Sequence, residues 1–210
     1  MELTQGYLRA FRRHRPQVVL AEFGPTAVRV LPACELAGVP LVAHFHGGFD
    51  ISAKETLQGH AESYPRLLRK ADATIAVSKV MRDDLIKLGA PPERVHHIVC
   101  GVDPTLFAAA DPSQAPPHFL AVGQFLDFKA PHLTILAFAR VFAAMPEARL
   151  HMIGAGPLLQ VCRELANGLG LGNVIQFMGK QPHSVVQQHM RTARCFVQHS
   201  IHAASGNAEG

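Results

Sequence analysis

The segment "VGQFLDFKAPH" (122–132) sets a glycine turn, Gly123, after an apolar run. A single lysine, Lys129, follows, and then Pro131 at the start of a helical pattern. The first turn of a helix presents unpaired N–H groups and the positive end of its dipole, so anions bind there. Lys129, just before that turn, adds a full positive charge. This chemistry suits a diphosphate. The same pattern also fits a surface lysine at a helix start, because a lone lysine after a glycine turn is a weak motif.

Three other stretches carry groups of interest. "HMIGAGPLLQ" (151–160) places Gly154 and Gly156 in a turn that leads into a helix. It has the opening of a G-x-G-x-x-G pattern, but Leu159 stands at the third glycine. No acidic residue follows at the spacing of about 20 positions that a dinucleotide site needs. A nicotinamide cofactor therefore fits poorly, and a tight strand-to-helix turn accounts for both glycines. "AHFHGGFD" (43–50) puts His44, His46 and Asp50 at a strand end. His46 suits hydrogen bonding or acid–base work, and a structural loop histidine fits as well. The H-x-H spacing also raises a metal. However, no third or fourth ligand is near in sequence, and the two histidines share a face only while the strand continues. No metal is expected. "GNAEG" (206–210) offers Glu209, a lone carboxylate in a polar loop, which is ordinarily solvated.

The elements that must position these residues follow from hydrophobic pattern. Short apolar, β-branched runs at 17–23, 40–45, 73–77, 94–99, 118–123, 148–154, 173–179 and 194–198 predict strands. Helical patterns lie between them: an opening "ELTQGYLRAFRRHR", "TAVRVLPACELAG" ending on Gly38, "SKVMRDDLIKLGA" with Ser78 as N-cap and Gly89 as stop, 130–146 and 157–172. Alternating strand and helix means parallel sheets with right-handed crossovers. The Pro- and Ala-rich break around 101–118 is long for a loop inside one compact domain. The expected organisation is a first α/β domain over 1–103, a linker over 104–117 and a second α/β domain over 118–210. Both look incomplete: the first opens on a helix, and the second ends just after a strand with no covering helix.

Composition narrows the function. The chain has 210 residues, 48% hydrophobic and 17% charged, with 20 basic against 16 acidic side chains for a net charge of +4. That suits a globular protein. The only dense basic run is "FRRHR", Phe11 to Arg15. With two tyrosines and no tryptophan, the chain has little surface for stacking bases, and nucleic acid is not an expected partner. The cysteines, Cys34, Cys100, Cys162 and Cys195, form no C-x-x-C pair, which argues against zinc. Cys34, Cys100 and Cys195 lie in apolar contexts and are expected as buried thiols of a reducing compartment. Polar first residues and the lack of a long apolar run point to a cytoplasmic protein.

Taken together, these pieces resemble a family-4-type glycosyltransferase of the GT-B fold, over nearly the whole chain and in register. "KADATIAVSKVMRDDLIKLGAPPERVHHIVCGVDPTLF" (70–107) is similar to the family's interdomain stretch. "AVGQFLDFKAPH" resembles its V-G-R-x-x-x-x-K-G segment, "LHMIGAGPL" its G-x-G-P turn, and "NVIQFMGKQPHSVV" its F-x-G strand. The final "EG" resembles the opening of E-G-F-G-x-x-x-x-E. The resemblance implies two Rossmann-like domains, the first binding an acceptor and the second a nucleotide-sugar. It implies transfer of a hexosyl group with retention, in polysaccharide or glycolipid assembly. No metal or other cofactor is expected, the nucleotide-sugar being a substrate. The expected partners are a nucleotide-diphosphate sugar and a glycan or lipid-linked acceptor. The expected setting is the cytoplasm, with peripheral contact at the inner membrane face.

Site roles carry over by position. Lys129, with Gln124 and Gly123, would hold the donor diphosphate, and Gly154 and Gly156 would line the nucleotide side. Glu209 would hold sugar hydroxyls, with the Gly210 backbone close to the sugar-phosphate, and His46 would face the reacting sugar. There are departures. The family arginine is Gln124 here, the glycine after the lysine is Ala130, the asparagine before G-V-D is Cys100, and the second glutamate lies past Gly210. The chain is therefore expected to be a central fragment, inactive or nearly so on its own. The competing reading is a truncated, non-catalytic nucleotide-binding remnant.

Overall fold

A computed structural model describes residues 2–47, 50–107 and 110–207. The chain divides into two compact units, Met1–Gly101 with Ala204–Gly210, and Val102–Ala203. Each has its own hydrophobic core.

The first unit runs α1 (Glu2–His14), β1 (Val19–Glu22), α2 (Gly24–Ala37), β2 (Leu41–Phe45), α3 (Lys54–Gly59), α4 (Ser63–Lys70), β3 (Ala73–Ala76), α5 (Lys79–Lys87) and β4 (Val95–His97). Its strands are parallel in the order β1-β2-β3-β4. Ala43 and Phe45 of β2, Leu67 and Leu68 of α4 and Leu85 of α5 are fully buried. Local chemistry sets the helix ends. Gly38 closes α2 in the left-handed region at φ 63°, where a Cβ is costly. Ser78 caps α5 by accepting the Met81 N–H at 3.1 Å, as its sequence position predicts.

The second unit runs β5 (His118–Val122), α6 (Pro131–Ala144), β6 (Arg149–Ile153), α7 (Leu159–Gly168), β7 (Ile175–Gly179), α8 (His183–Thr192) and β8 (Cys195–Phe196). Its strands are also parallel, in the order β7-β6-β5-β8. The chain steps from β5 to β6 to β7 on one side. Then α8 carries it back to lay β8 on the other side of β5. This reversal makes a topological switch point between β5 and β8, where open α/β sheets bind ligands.

All eight expected strands are present. Three helices, α3, α4 and α8, were not legible in the pattern. Strand β8 has two residues, not the five expected. The thiols also differ from expectation. Cys34 and Cys162 are buried, whereas Cys100 and Cys195 are exposed. Cys195 is on β8, an outer strand, and Cys100 follows β4, the outer strand of the first sheet. An apolar sequence context at a sheet edge does not ensure cover. Among the described residues no helix is long and apolar enough to cross a membrane.

Candidate functional site

In the second unit the loops after β5 and β6 are zipped together by backbone hydrogen bonds. The Gly123 N–H donates to Ile153 O at 2.9 Å, Phe125 N–H to Ala155 O at 3.1 Å, and Leu158 N–H to Phe125 O at 3.1 Å. This approach leaves no room for side chains at the two glycines of "GAGP". A Cβ on Gly154, at φ +142°, would lie 1.8 Å from Gly123 O, and one on Gly156 would lie 2.6 Å from Phe125 O. Both glycines are therefore required by loop packing, the tight-turn role their sequence allows. Through that packing they fix the backbone of Gly123 and Gln124.

A crevice opens beside those loops at the switch point. Gly123, Gln124, Phe125, Lys129, Pro131 and the segment Val197–His199 line it. The structure thus brings Lys129, Gln124 and Gly123 together at the carboxyl end of β5. Lys129 is half-buried, with its Nζ 5.8 Å from the centroid of the Phe128 ring. Helix α6 opens here on Pro131. Its N-cap, Ala130, is left-handed at φ 43° and supplies no side-chain cap. In the first turn Pro131 has no N–H and the Leu133 N–H donates to Ala130 O at 3.0 Å, so the positive end of the helix dipole and the His132 N–H are what would draw an anion. The segment after β8 is tied in by the Ile201 N–H, which donates to Phe128 O at 2.8 Å. Gln198 and His199 thereby join the crevice, which the sequence did not reveal.

The first unit gathers a second group at the carboxyl ends of β1 and β2. Glu22 pairs in register with His44, so their side chains share a face. The carboxylate Oε2 of Glu22 lies 3.0 Å from His44 Nδ1 and 2.5 Å from His46 Nε2. These hydrogen bonds, that to His46 foremost, hold the Glu22 carboxyl below the usual carboxylate range, against the opposing pull of burial. The rings of His44 and His46 lie 4.0 Å apart, and the Phe23 ring lies 4.8 Å from His46. Phe23 has φ 70°, a backbone position that costs a non-glycine residue energy and is often found at functional sites.

Asp50 fixes the loop behind His46. It is fully buried and accepts the Gly24 N–H at 2.9 Å and the His46 N–H at 2.7 Å. Burial pushes its carboxyl up, and the two N–H donors pull it back. His46 is thus held at its ring nitrogen, its ring face and its backbone. No third group stands near the H-x-H pair along the chain; the strand register corrects this by supplying Glu22. The signal was present in "AEFG" and "AHFHG", which end neighbouring parallel strands. The expected roles of Glu209 and Gly210 fall outside the described residues.

Comparison with known proteins gives this geometry a family. Residues 3–106 match Glycosyltransferase Family 4, and residues 103–210 match Glycosyl transferases group 1. WcaL of Escherichia coli (strain K12), whose name assigns it to colanic acid biosynthesis, is 29% identical over 93% of this chain and 49% of its own length. The amylovoran biosynthesis glycosyltransferase AmsK of Erwinia amylovora is 27% identical over 80% of this chain and 42% of its own length. The chain spans about half the length of the curated relatives it matches. Anabaena HepE, solved in complex with UDP and glucose, superposes with a TM-score of 0.76 at 20% identity, over 94% of this chain and 56% of that one. The lipopolysaccharide outer core galactosyltransferase WaaB gives 0.67 at 18% identity, over 94% and 54%. The fold is that of GT-B glycosyltransferases, in part. The group 1 match alone takes in more than half of the sequence, and the chain belongs to the group 1 glycosyl transferases.

Proposed function

We propose that this chain is the part of a retaining hexosyltransferase that binds the diphosphate of a nucleotide-sugar donor and presents the acceptor-side histidine. The observation that carries the reading is the crevice at the β5–β8 switch point. There Lys129 and the uncapped start of α6 converge beside the exposed backbone of Gly123 and Gln124. Negative charge grows on the leaving diphosphate as the glycosidic bond breaks, and a cation at the positive end of a helix dipole stabilises it. Gln124 stands where the resemblance places an arginine, so Lys129 carries more of that task. Gly154 and Gly156 hold the loop backbone in shape. His46 serves the reacting sugar from the acceptor unit, Glu209 holds sugar hydroxyls, and the Gly210 backbone approaches the sugar-phosphate.

The names of WcaL and AmsK support polysaccharide assembly as the setting, and the UDP and glucose bound to HepE support a nucleotide-sugar donor. The acceptor is then a glycan or lipid-linked saccharide. The exposed run Arg12–Arg15 at the end of α1 suits peripheral contact with an anionic inner membrane face. Turnover belongs to a chain of the relatives' length. The 210 residues alone are expected to bind donor and transfer little.

The test is nucleotide binding by calorimetry. Lys129→Ala is expected to weaken UDP, GDP or ADP binding by about 1.5–3 kcal/mol, the scale of a charged hydrogen bond. Unchanged affinity for all three nucleotides would remove the diphosphate role.

A further inference from the structure

The cluster of Glu22, His44 and His46 has a property that sugar transfer does not require. Its three donor atoms, one from each side chain, all lie within 4.8 Å of one another. We propose that Glu22, His44 and His46 form a binding site for a first-row transition-metal ion such as zinc, with its fourth side open to water.

The geometry is close to what such an ion needs. A tetrahedral zinc with bonds of about 2.0–2.2 Å keeps its ligands on the order of 3.3 Å apart. The Glu22 oxygen stands 3.0 and 2.5 Å from the two ring nitrogens. Replacing the hydrogen bonds by metal bonds therefore takes small rotations of the three side chains, whose donor atoms lie within 4.8 Å of one another. The frame that carries them is stiff. Glu22 and His44 are paired strand residues. The Phe23 N–H donates to His44 O at 2.8 Å, and Asp50 anchors the His46 backbone. A carboxylate on one strand and an H-x-H pair on the next make a three-point chelate. Side-chain exposures of 49% for Glu22 and 29% for His46 leave a face for entry and for a bound water.

The donor set decides the ion and the strength. Two imidazoles and one carboxylate favour zinc, nickel or copper over magnesium, which prefers oxygen. Among the described residues the buried Nε2 of His44 has no partner. Once Nδ1 takes the metal, that nitrogen must carry the proton, with nothing to receive it. Ligating histidines usually have such a partner, and losing it costs about 10–100-fold in affinity. The site therefore suits a dissociable ion, not a structural one. Occupancy would engage His46 and make the ion a reversible inhibitor. That consequence rests on the function proposed above; the binding itself does not.

The experiment titrates the metal-free chain with Zn²⁺ by calorimetry and with Co²⁺ by absorption. The expected result is one reversibly bound ion per chain, a tetrahedral cobalt spectrum, and no displacement by a large excess of Mg²⁺. Glu22→Gln and His46→Ala should each weaken zinc at least about tenfold. The chain has 13 histidines, so a control is needed. In the second unit His151 Nδ1 lies 3.3 Å from His189 Nδ1, and His189→Ala should leave the affinity unchanged. Circular dichroism confirms that each variant is folded. Equal zinc affinity in the Glu22→Gln, His46→Ala double variant would overturn the proposal. So would failure of the His44 and His46 ring signals in the unmodified chain to shift when zinc is added, a measurement that needs no variant.

Discussion

Replacing Asp50 by asparagine should unfold the first unit earlier while leaving the second untouched. Asp50 is fully buried and accepts two backbone N–H bonds, at 2.9 Å from Gly24 and 2.7 Å from His46. A hydrogen bond to a charged group contributes about 1.5–3 kcal/mol, so the pair sets a ceiling of about 3–6 kcal/mol. Two effects lower it. Burial already pushes the carboxyl up, which shows that the charge is bought at a desolvation cost. Asparagine also keeps one acceptor oxygen and fits the same space, while its NH₂ faces the second N–H donor. The expected loss is then about 2 kcal/mol for Asp50→Asn, and about 3 kcal/mol for Asp50→Ala, which leaves both donors unpaired. The molecule supplies its own probe. The chain has two tyrosines and no tryptophan, and both Tyr7 and Tyr64 pack in the first core. Urea unfolding followed by tyrosine fluorescence thus reports the first unit alone. A change below about 0.5 kcal/mol in either variant would refute the view that Asp50 ties the start of α2 to the His46 loop.

Three further outcomes are expected. Gly154→Ala should weaken nucleotide binding as strongly as Lys129→Ala and lower the melting temperature, since its Cβ would overlap Gly123 O; a variant with parental binding and stability would contradict the zipped-loop geometry. In thiol labelling of the native chain, Cys100 and Cys195 should react promptly, while Cys34 and Cys162 react only after denaturation; four equal rates would count against the packing described. Burial raises the Cys34 and Cys162 thiols from an ordinary 9.0 to about 11. The unfolded chain then ionises first, so stability held below pH 9 should fall as pH climbs from about 9 to 11, a decline that urea midpoints at pH 8 and 10.5 would show and Cys162→Ser would lessen.

The parts of this fold that were legible in sequence are the parts whose signal is local. Apolar runs such as "PLVAHF" and "HFLAVG" declare themselves as strands by composition and length, although β2 fully buries one face only and β5 only Leu120. Gly38 and Ser78 end and begin helices by their own backbone and side-chain chemistry. Helix α8 escaped because "HSVVQQHMRT" is dominated by polar residues and none of its residues is fully buried. The crevice was half legible. Lys129 and Gly123 lie on one segment, but Val197–His199 reach them only because β8 returns to the side of β5, which no local pattern encodes. Glu22 is the plainest case. Its role depends on register between β1 and β2, and within "VVLAEFG" it is an ordinary surface carboxylate.

Both candidate sites share one device, used to opposite ends. Helices α2 and α6 each open on an N-cap with positive φ, Phe23 at 70° and Ala130 at 43°, with a proline in the first turn and no side-chain cap from that residue. Such backbone is unfavourable for L residues by roughly 1–2 kcal/mol. Where a sequence breaks its local rules, a functional or strained position is expected. At α2 the protein fills the helix start itself, since Asp50 sets a fixed carboxylate on the Gly24 N–H. That carboxylate turns the helix opening into an anchor for the His46 loop. At α6 the cap position gives no oxygen, and Lys129 adds positive charge beside it. An anion drawn to that opening would meet the positive end of the helix and the Lys129 charge together. The same local strain thus accompanies a structural latch in one unit and, in the proposed function, the diphosphate site in the other; the buried Asp50 carboxylate sets the first apart.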